Sequence, residues 1–162
     1  MRILLIGDTH IPDKKESVPD KFLDEARRCD LVICTGDITD KDTLDSLLEA
    51  SKVRAVKGED DYMNLPEQDL VQVEKMKFGV VHGHRMEGED EMSEELMEFA
   101  DMLKADVLVT GHTHKPFRTE KNGKVLLNPG SATGVDTDKK TCMVVEVQGT
   151  DIQNCEILTS EE

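Results

Sequence analysis

The chain's 5 histidines are His10, His82, His84, His112 and His114. Each lies within a few residues after an apolar run that reads as a strand, and most neighbour a glycine, as in His82-Gly83-His84 and Gly111-His112-Thr113-His114. None falls in a helical stripe or a strand interior. The ends of the same runs carry Asp8, Asp37 and the run Glu59-Asp60-Asp61. In open α/β sheets the loops at the carboxyl ends of the strands converge, and ligands bind there. An aspartate after a strand is often only a turn or helix cap, and a lone histidine is more often structural or solvent-exposed than a ligand. Turn chemistry does not account for His10 two residues beyond Asp8, nor for the paired histidines at 112 and 114.

Mixed imidazole and carboxylate donors suit Zn, Mn, Fe or Ni better than Mg or Ca, which prefer oxygen alone. Residues i and i+2 of an extended loop point to the same side. Asp8 and His10 are therefore expected to reach one ion, and His112 and His114 to serve two neighbouring ions. A carboxylate such as Asp37 can bridge the pair. Two divalent ions ~3.5–4 Å apart share a water, lower its pKa and clamp the oxygens of a phosphoryl group during in-line attack. A mononuclear metalloprotease or deaminase has little support, because the chain has neither an HExxH helix nor a cysteine-ligated zinc signature.

Positioning these groups requires strands that stop where the chemistry starts. Residues 2–6 form a short apolar run ending at Gly7-Asp8, residues 31–34 a second ending at Thr35-Gly36-Asp37, and residues 53–56 a third ending at Gly58. Between them, Phe22, Leu23 and Ala26 share a helical face after Pro19, and Leu44, Leu47 and Leu48 do so after the capping residue Asp40. This order, β-α-β-α-β, is the pattern of a parallel, layered sheet. The second half predicts strands at 70–74 and 76–81, a helix started by Ser93 with Leu96, Met97, Ala100 and Leu103 on one face, and a strand at 106–110. A hairpin follows around Asn122-Gly123, then a closing antiparallel pair at 141–147 and 152–158. The acidic stretch 87–95 reads as a solvated loop and helix start. The expected architecture is a single α/β domain over residues 1–162, a four-layer α-β-β-α sandwich of two mixed sheets, with helices outside and one antiparallel edge.

Composition narrows the function. With 35 acidic against 20 basic residues the formal net charge is -15, which opposes charge-driven binding to duplex nucleic acid or to anionic membrane. A bound metal can still reverse the local field for a phosphate-bearing substrate. Trp is absent and there is 1 Tyr, so stacking on bases has little to work with. No run approaches the ~20 apolar residues of a membrane span, and the N-terminal run reads as a strand rather than a signal peptide. Cys29, Cys34, Cys142 and Cys155 are scattered without a CxxC pair, so a disulfide framework is not expected and a reducing cytoplasm is the expected location.

Gly7-Asp8-Thr9-His10, Gly36-Asp37, Gly58-Glu59-Asp60-Asp61, His82-Gly83-His84 and Gly111-His112-Thr113-His114 follow, in order, motifs of the calcineurin-like metallophosphoesterases. The layout resembles the small phosphodiesterase branch that includes the metallophosphoesterase-like subunit of retromer. Asn128-Pro129-Gly130-Ser131 matches that branch's NPGS motif, and the resemblance runs from residue 1 to about 158. It implies one ion held by Asp8, His10, Asp37 and His114, and a second held by Asp37, Glu59, His82 and His112. Manganese is the first expectation; nickel, iron, cobalt or zinc also fit. His84 matches a position that does not ligate and serves as a hydrogen-bond partner behind the ligands. The 128–131 backbone shapes the loop beneath the site. Self-association is common in the family, so a homo-oligomer is compatible with it.

The departure lies at 58–61. The family pattern there is GNHD, or GNCD in the small branch; this chain has Glu59 in place of the neutral asparagine and Asp60 in place of the histidine or cysteine. Two divalent ions with three carboxylates and a bridging hydroxide sum to zero charge, whereas an asparagine would leave one net positive charge to attract a diester anion. At an effective dielectric of about 20, one extra charge at ~4 Å opposes the phosphate by on the order of 4 kcal/mol. The metals should be held more tightly and the phosphate less so, and Asp60 with Asp61 is expected to deepen the negative field. Asp60 is the candidate general acid toward the leaving group. The expected activity is a metal-dependent phosphodiesterase that uses the bridging hydroxide on small or nucleotide-like diesters with good leaving groups. The alternative is a catalytically weak or inactive scaffold that keeps the fold and presents a surface to a protein partner.

Overall fold

A computed structural model describes residues 1–13, 17–86 and 94–161. In chain order the first half holds β1 (Arg2–Ile6), α1 (Asp20–Arg27), β2 (Leu31–Cys34), α2 (Lys41–Ala50) and β3 (Val53–Ala55). The second half holds β4 (Gln68–Val73), β5 (Met76–Val81), α3 (Glu94–Leu103), β6 (Val107–Val109), β7 (Phe117–Lys121), β8 (Lys124–Asn128), β9 (Lys140–Gln148) and β10 (Asp151–Ser160). They form two 5-stranded sheets in the orders β10-β9-β1-β2-β3 and β4-β5-β6-β8-β7. β1, β2 and β3 run parallel, as the alternating strand and helix pattern predicts.

Side-chain alternation builds the layers, because successive residues of a strand face opposite sides. Ile3 and Leu5 of β1 join Ile33, Phe78, Val80, Val107 and Leu127 in a core between the two sheets. Leu4 and Ile6 turn the other way and pack with Phe22 and Ala26 of α1 and Leu47 of α2. Leu108 and Leu126 meet Leu96, Met97 and Ala100 of α3 on the outside of the second sheet. Strands buried on both faces read as continuous apolar runs for this reason, and the result is the expected α-β-β-α sandwich.

The antiparallel content exceeds the single edge expected. β4, β7 and β10 each occupy an outer edge and pair antiparallel with β5, β8 and β9. Each pair is joined by a tight turn, and a tight turn can connect only antiparallel neighbours. At Asn122-Gly123 both residues have positive φ, 53° and 75°, the geometry of the two-residue hairpin that this dipeptide favours. β4 starts two residues before its expected position and both closing strands are longer at each end. α2 is capped as expected, with Asp40 Oδ1 accepting from Thr43 N at 2.9 Å. The helix start expected at Ser93 lies outside the described residues, and α3 is described from Glu94. Among the described residues no helix is long and apolar enough to cross a membrane.

Candidate metal centre

The carboxyl ends of β1, β2, β3, β5 and β6 converge, and the chemistry-bearing residues follow them. Asp8 and His82 are fully buried, and Asp37 and His10 nearly so. Asp8, His10 and His114 bring one donor each into a common cluster; Asp8, Asp37 and His82 form a second; His10, Asp37 and Asp60 form a third. Asp8 is shared by the first two groups, Asp37 by the last two and His10 by the first and third. Nε2 of His10 lies 3.3 Å from Nε2 of His114, and Oδ1 of Asp8 is 3.4 Å from Nε2 of His114. Nε2 of His82 is 3.0 Å from Oδ2 of Asp37, and Oδ1 of Asp8 is 3.9 Å from the same nitrogen.

The loops reach this arrangement by a route other than the extended one expected. Asp8, His10, Asp37, His112 and His114 all have positive φ, between 48° and 70°. Left-handed backbone costs non-glycine residues on the order of 1–3 kcal/mol each and persists only where the surroundings impose it. The surroundings here do. Asp8 N donates to Gly36 O, and Thr9 and His10 N both donate to Asp37 O. Ser131 Oγ donates to Asp8 O at 2.7 Å and Thr133 Oγ1 to Thr9 O at 2.8 Å. Asn128 Nδ2 donates to Gly111 O at 2.9 Å, so the Asn128–Ser131 loop braces two ligand loops from beneath. Close approach also constrains Gly58, where any Cβ would collide with Oδ1 and N of Asp37.

Two imidazoles are oriented by backbone carbonyls. Nδ1 of His82 donates to Thr35 O at 2.8 Å and Nδ1 of His114 to Val135 O at 2.9 Å. A carbonyl can only accept, so the proton sits on Nδ1 and the neutral ring offers its Nε2 lone pair inward. Nε2 of His82 is buried without a hydrogen-bond partner, because Asp37 lies close but out of line. An orphaned lone pair among carboxylates is the environment a divalent cation satisfies, so the donor set fits the implied metals. Without a cation, protons take that place. Burial alone would lower the His82 pKa, but Asp37 and Asp8 raise it to about 9. Burial alone would raise that of Asp37, but His82, the N–H of Asp60 and His10 hold it at about 2. Burial opposes His114 as well, yet Asp8 drives its pKa above the ordinary imidazole value.

Not every expected ligand enters these clusters. Glu59 is exposed in the turn after β3, and neither it nor His112 belongs to the donor groups found among the described residues. The His112 ring lies against His82 with centroids 5.4 Å apart, and its backbone N donates to Oδ2 of Asp8 at 3.1 Å. His84 sits behind His82, centroids 5.4 Å apart, with its Nδ1 buried and unpartnered. Burial and the neighbouring His82 push its pKa down. Asp60, half exposed, places Oδ2 3.2 Å from Nδ1 of His10.

Asp61 has a structural task. It is buried, and its carboxylate accepts from the N–H groups of Asp37, Thr39 and Gly58 at 2.8–2.9 Å. Those three donors stabilise its charge in place of water and lock the 58–61 turn to the Asp37 loop. The carbonyls of Thr35 and Val135 went unforeseen, because backbone acceptors carry no residue-type signal. A hollow of about 290 Å³ opens beside His114, lined in part by Lys115, Pro116 and Lys139.

Comparison with known proteins agrees with this geometry. Residues 1–150 match the family model described as the calcineurin-like phosphoesterase superfamily domain. A probable metallophosphoesterase of Methanocaldococcus jannaschii is 39% identical over 148 residues, covering 91% of this chain and 77% of that protein. Another from Methanothermobacter thermautotrophicus is 36% identical over 152 residues, covering 92% of this chain and 87% of its own. The crystal structure of wild-type Vps29 from Entamoeba histolytica complexed with zinc superposes with a TM-score of 0.85 at 34% identity, covering 98% of this chain and 99% of that one. With a matching family model over most of its length and buried acid–imidazole clusters at the strand ends, this chain belongs to the calcineurin-like phosphoesterase superfamily.

Proposed function

We propose that this domain holds a pair of divalent cations and is a weak phosphodiesterase, closer in its working role to a protein-interaction scaffold than to a fast hydrolase. The observation that carries the metal half is the inward-facing, unpartnered Nε2 of His82 beside Asp37 and Asp8, with its other nitrogen tied to Thr35 O. Zinc in the Vps29 relative supports the same ligand chemistry. When bound, the cations supply Lewis acidity and an acidified water. This chain's residues do the rest. Asp8 and Asp37 would offset half of the ions' charge, and the carbonyls of Thr35 and Val135 keep His82 and His114 in the binding tautomer.

The acids of the 58–61 turn support weakness. Glu59 and Asp60 add exposed carboxylates at the mouth, where a diester anion must approach. Likeness to Vps29, the retromer-subunit fold, favours the scaffold role. A second reading, an efficient phosphodiesterase of small or nucleotide-like esters with manganese as its metal, is favoured by the histidines His10, His82 and His114 gathered around the two aspartates. A pure scaffold has no physical need for them.

One experiment separates the readings. Metal content is measured after equilibration with Mn, Ni, Co or Zn, and hydrolysis of bis-p-nitrophenyl phosphate and an alkyl diester is followed for the wild type and for Glu59→Asn. The expected result is two ions bound, slow wild-type turnover confined to the activated ester, and about tenfold or greater gain in Glu59→Asn. Fast wild-type turnover on both esters establishes the efficient enzyme instead. Absence of bound metal in the wild type ends both.

A further inference from the structure

We propose that Asp60 is a positioning residue for His10, its carboxylate accepting the Nδ1 proton and turning Nε2 toward the metal centre, rather than the general acid expected at this place in the sequence. Three contacts carry the proposal. On one edge of the His10 ring, Nε2 faces Oδ2 of Asp37 at 3.6 Å, Oδ1 of Asp8 at 4.0 Å and Nε2 of His114 at 3.3 Å. On the other edge, Nδ1 meets Oδ2 of Asp60 at 3.2 Å. The backbone N of Asp60 donates to Oδ1 of Asp37 at 2.8 Å.

Thr35 O behind His82 and Val135 O behind His114 are hydrogen-bonded to Nδ1, and behind His10 the group that faces Nδ1, 3.2 Å away, is the carboxylate of Asp60. The difference is charge. A carboxylate behind a ligating imidazole fixes the ring's orientation and tautomer. The same residue sets Asp37 through its backbone. One residue thus fixes one ligand by its side chain and the ligand between the clusters by its N–H. A carboxylate that holds the imidazole proton is not free to deliver one to a departing alcohol.

The metal consequence rests on the proposed cation pair; the tautomer consequence does not. The test uses the full chain, metal-free and with Mn alone, as wild type, Asp60→Ala and Asp60→Asn. Long-range proton–nitrogen spectra of the metal-free protein, recorded where the His10 nitrogen shifts themselves show a neutral ring, read its tautomer. The expected result is Nδ1–H in the wild type and in Asp60→Asn, whose amide oxygen still accepts, and a shift toward Nε2–H in Asp60→Ala. Manganese affinity is expected to fall about 10–100-fold in Asp60→Ala and to be largely rescued in Asp60→Asn. An unchanged tautomer in Asp60→Ala overturns the proposal. So does unchanged manganese affinity in both variants. Should the wild type bind no manganese, the proposed function fails while the tautomer comparison still decides the role of Asp60.

Discussion

The floor of the site and its rim are built by different physics. On the floor, Asp8, Asp37 and His82 are sealed from water, and each is held by backbone groups that leave it little choice of conformation. On the rim, Glu59 is exposed and Asp60 half so. A buried charge must find a partner or shift its pKa, so the floor specifies its chemistry tightly. An exposed carboxylate meets no such demand. The rim is accordingly where this chain departs from its family's motif, and where a change of residue alters the field felt by a ligand with little effect on the fold.

This contrast can be broken from either side. The largest effect belongs to His82→Ala, which removes a buried donor and leaves Thr35 O without its hydrogen bond. Loss of manganese affinity at its cluster should exceed the about 100-fold typical of an outer partner, measured by titration calorimetry. Next is Asp61→Ala, which strands the N–H groups of Asp37, Thr39 and Gly58. With buried donors left unsatisfied, the protein should lose about 3 kcal/mol or more in denaturant unfolding.

Proton linkage gives a third test on the metal-free protein. The His82 pKa is raised from 6.5 to about 9 in the fold, so its contribution is complete below pH 6.5 and disappears as pH rises through about 9. That of Asp37 is lowered from 3.8 to about 2, so its contribution is complete above pH 3.8 and is lost as pH falls through about 2. These describe one ion pair seen from both partners, worth on the order of 2–3 kcal/mol. Unfolding measured across the alkaline window should show this loss, and His82→Gln should flatten it. The smallest effect sharpens the comparison from the rim: Glu59→Asn should change stability by no more than about 0.5 kcal/mol while accelerating diester cleavage. A large destabilisation would show that Glu59 belongs with the floor.

Much of this was written along the chain. Continuous apolar runs at residues 3–6 and Leu31–Cys34 announce strands buried on both faces, because no amphipathic alternation is left to read. Asp40, Pro19 and Asn122-Gly123 mark their caps and turn by their own stereochemistry. Asp8, His10, Asp37, His82 and His114 declare themselves by residue type at strand ends, since few other roles use imidazole and carboxylate so spaced.

What the sequence could not contain is orientation. The left-handed backbone at Asp8, His10, Asp37, His112 and His114 arises from hydrogen bonds to segments far along the chain, including Ser131 and Thr133. Burial of Asp61 as a hydrogen-bonded brace, exposure of Glu59 in the same turn, and the turning of Asp60 toward His10 were likewise decided only in three dimensions. Residue type sets which atoms can bind a cation or accept a proton; only packing between distant loops sets which of those atoms face the same point in space.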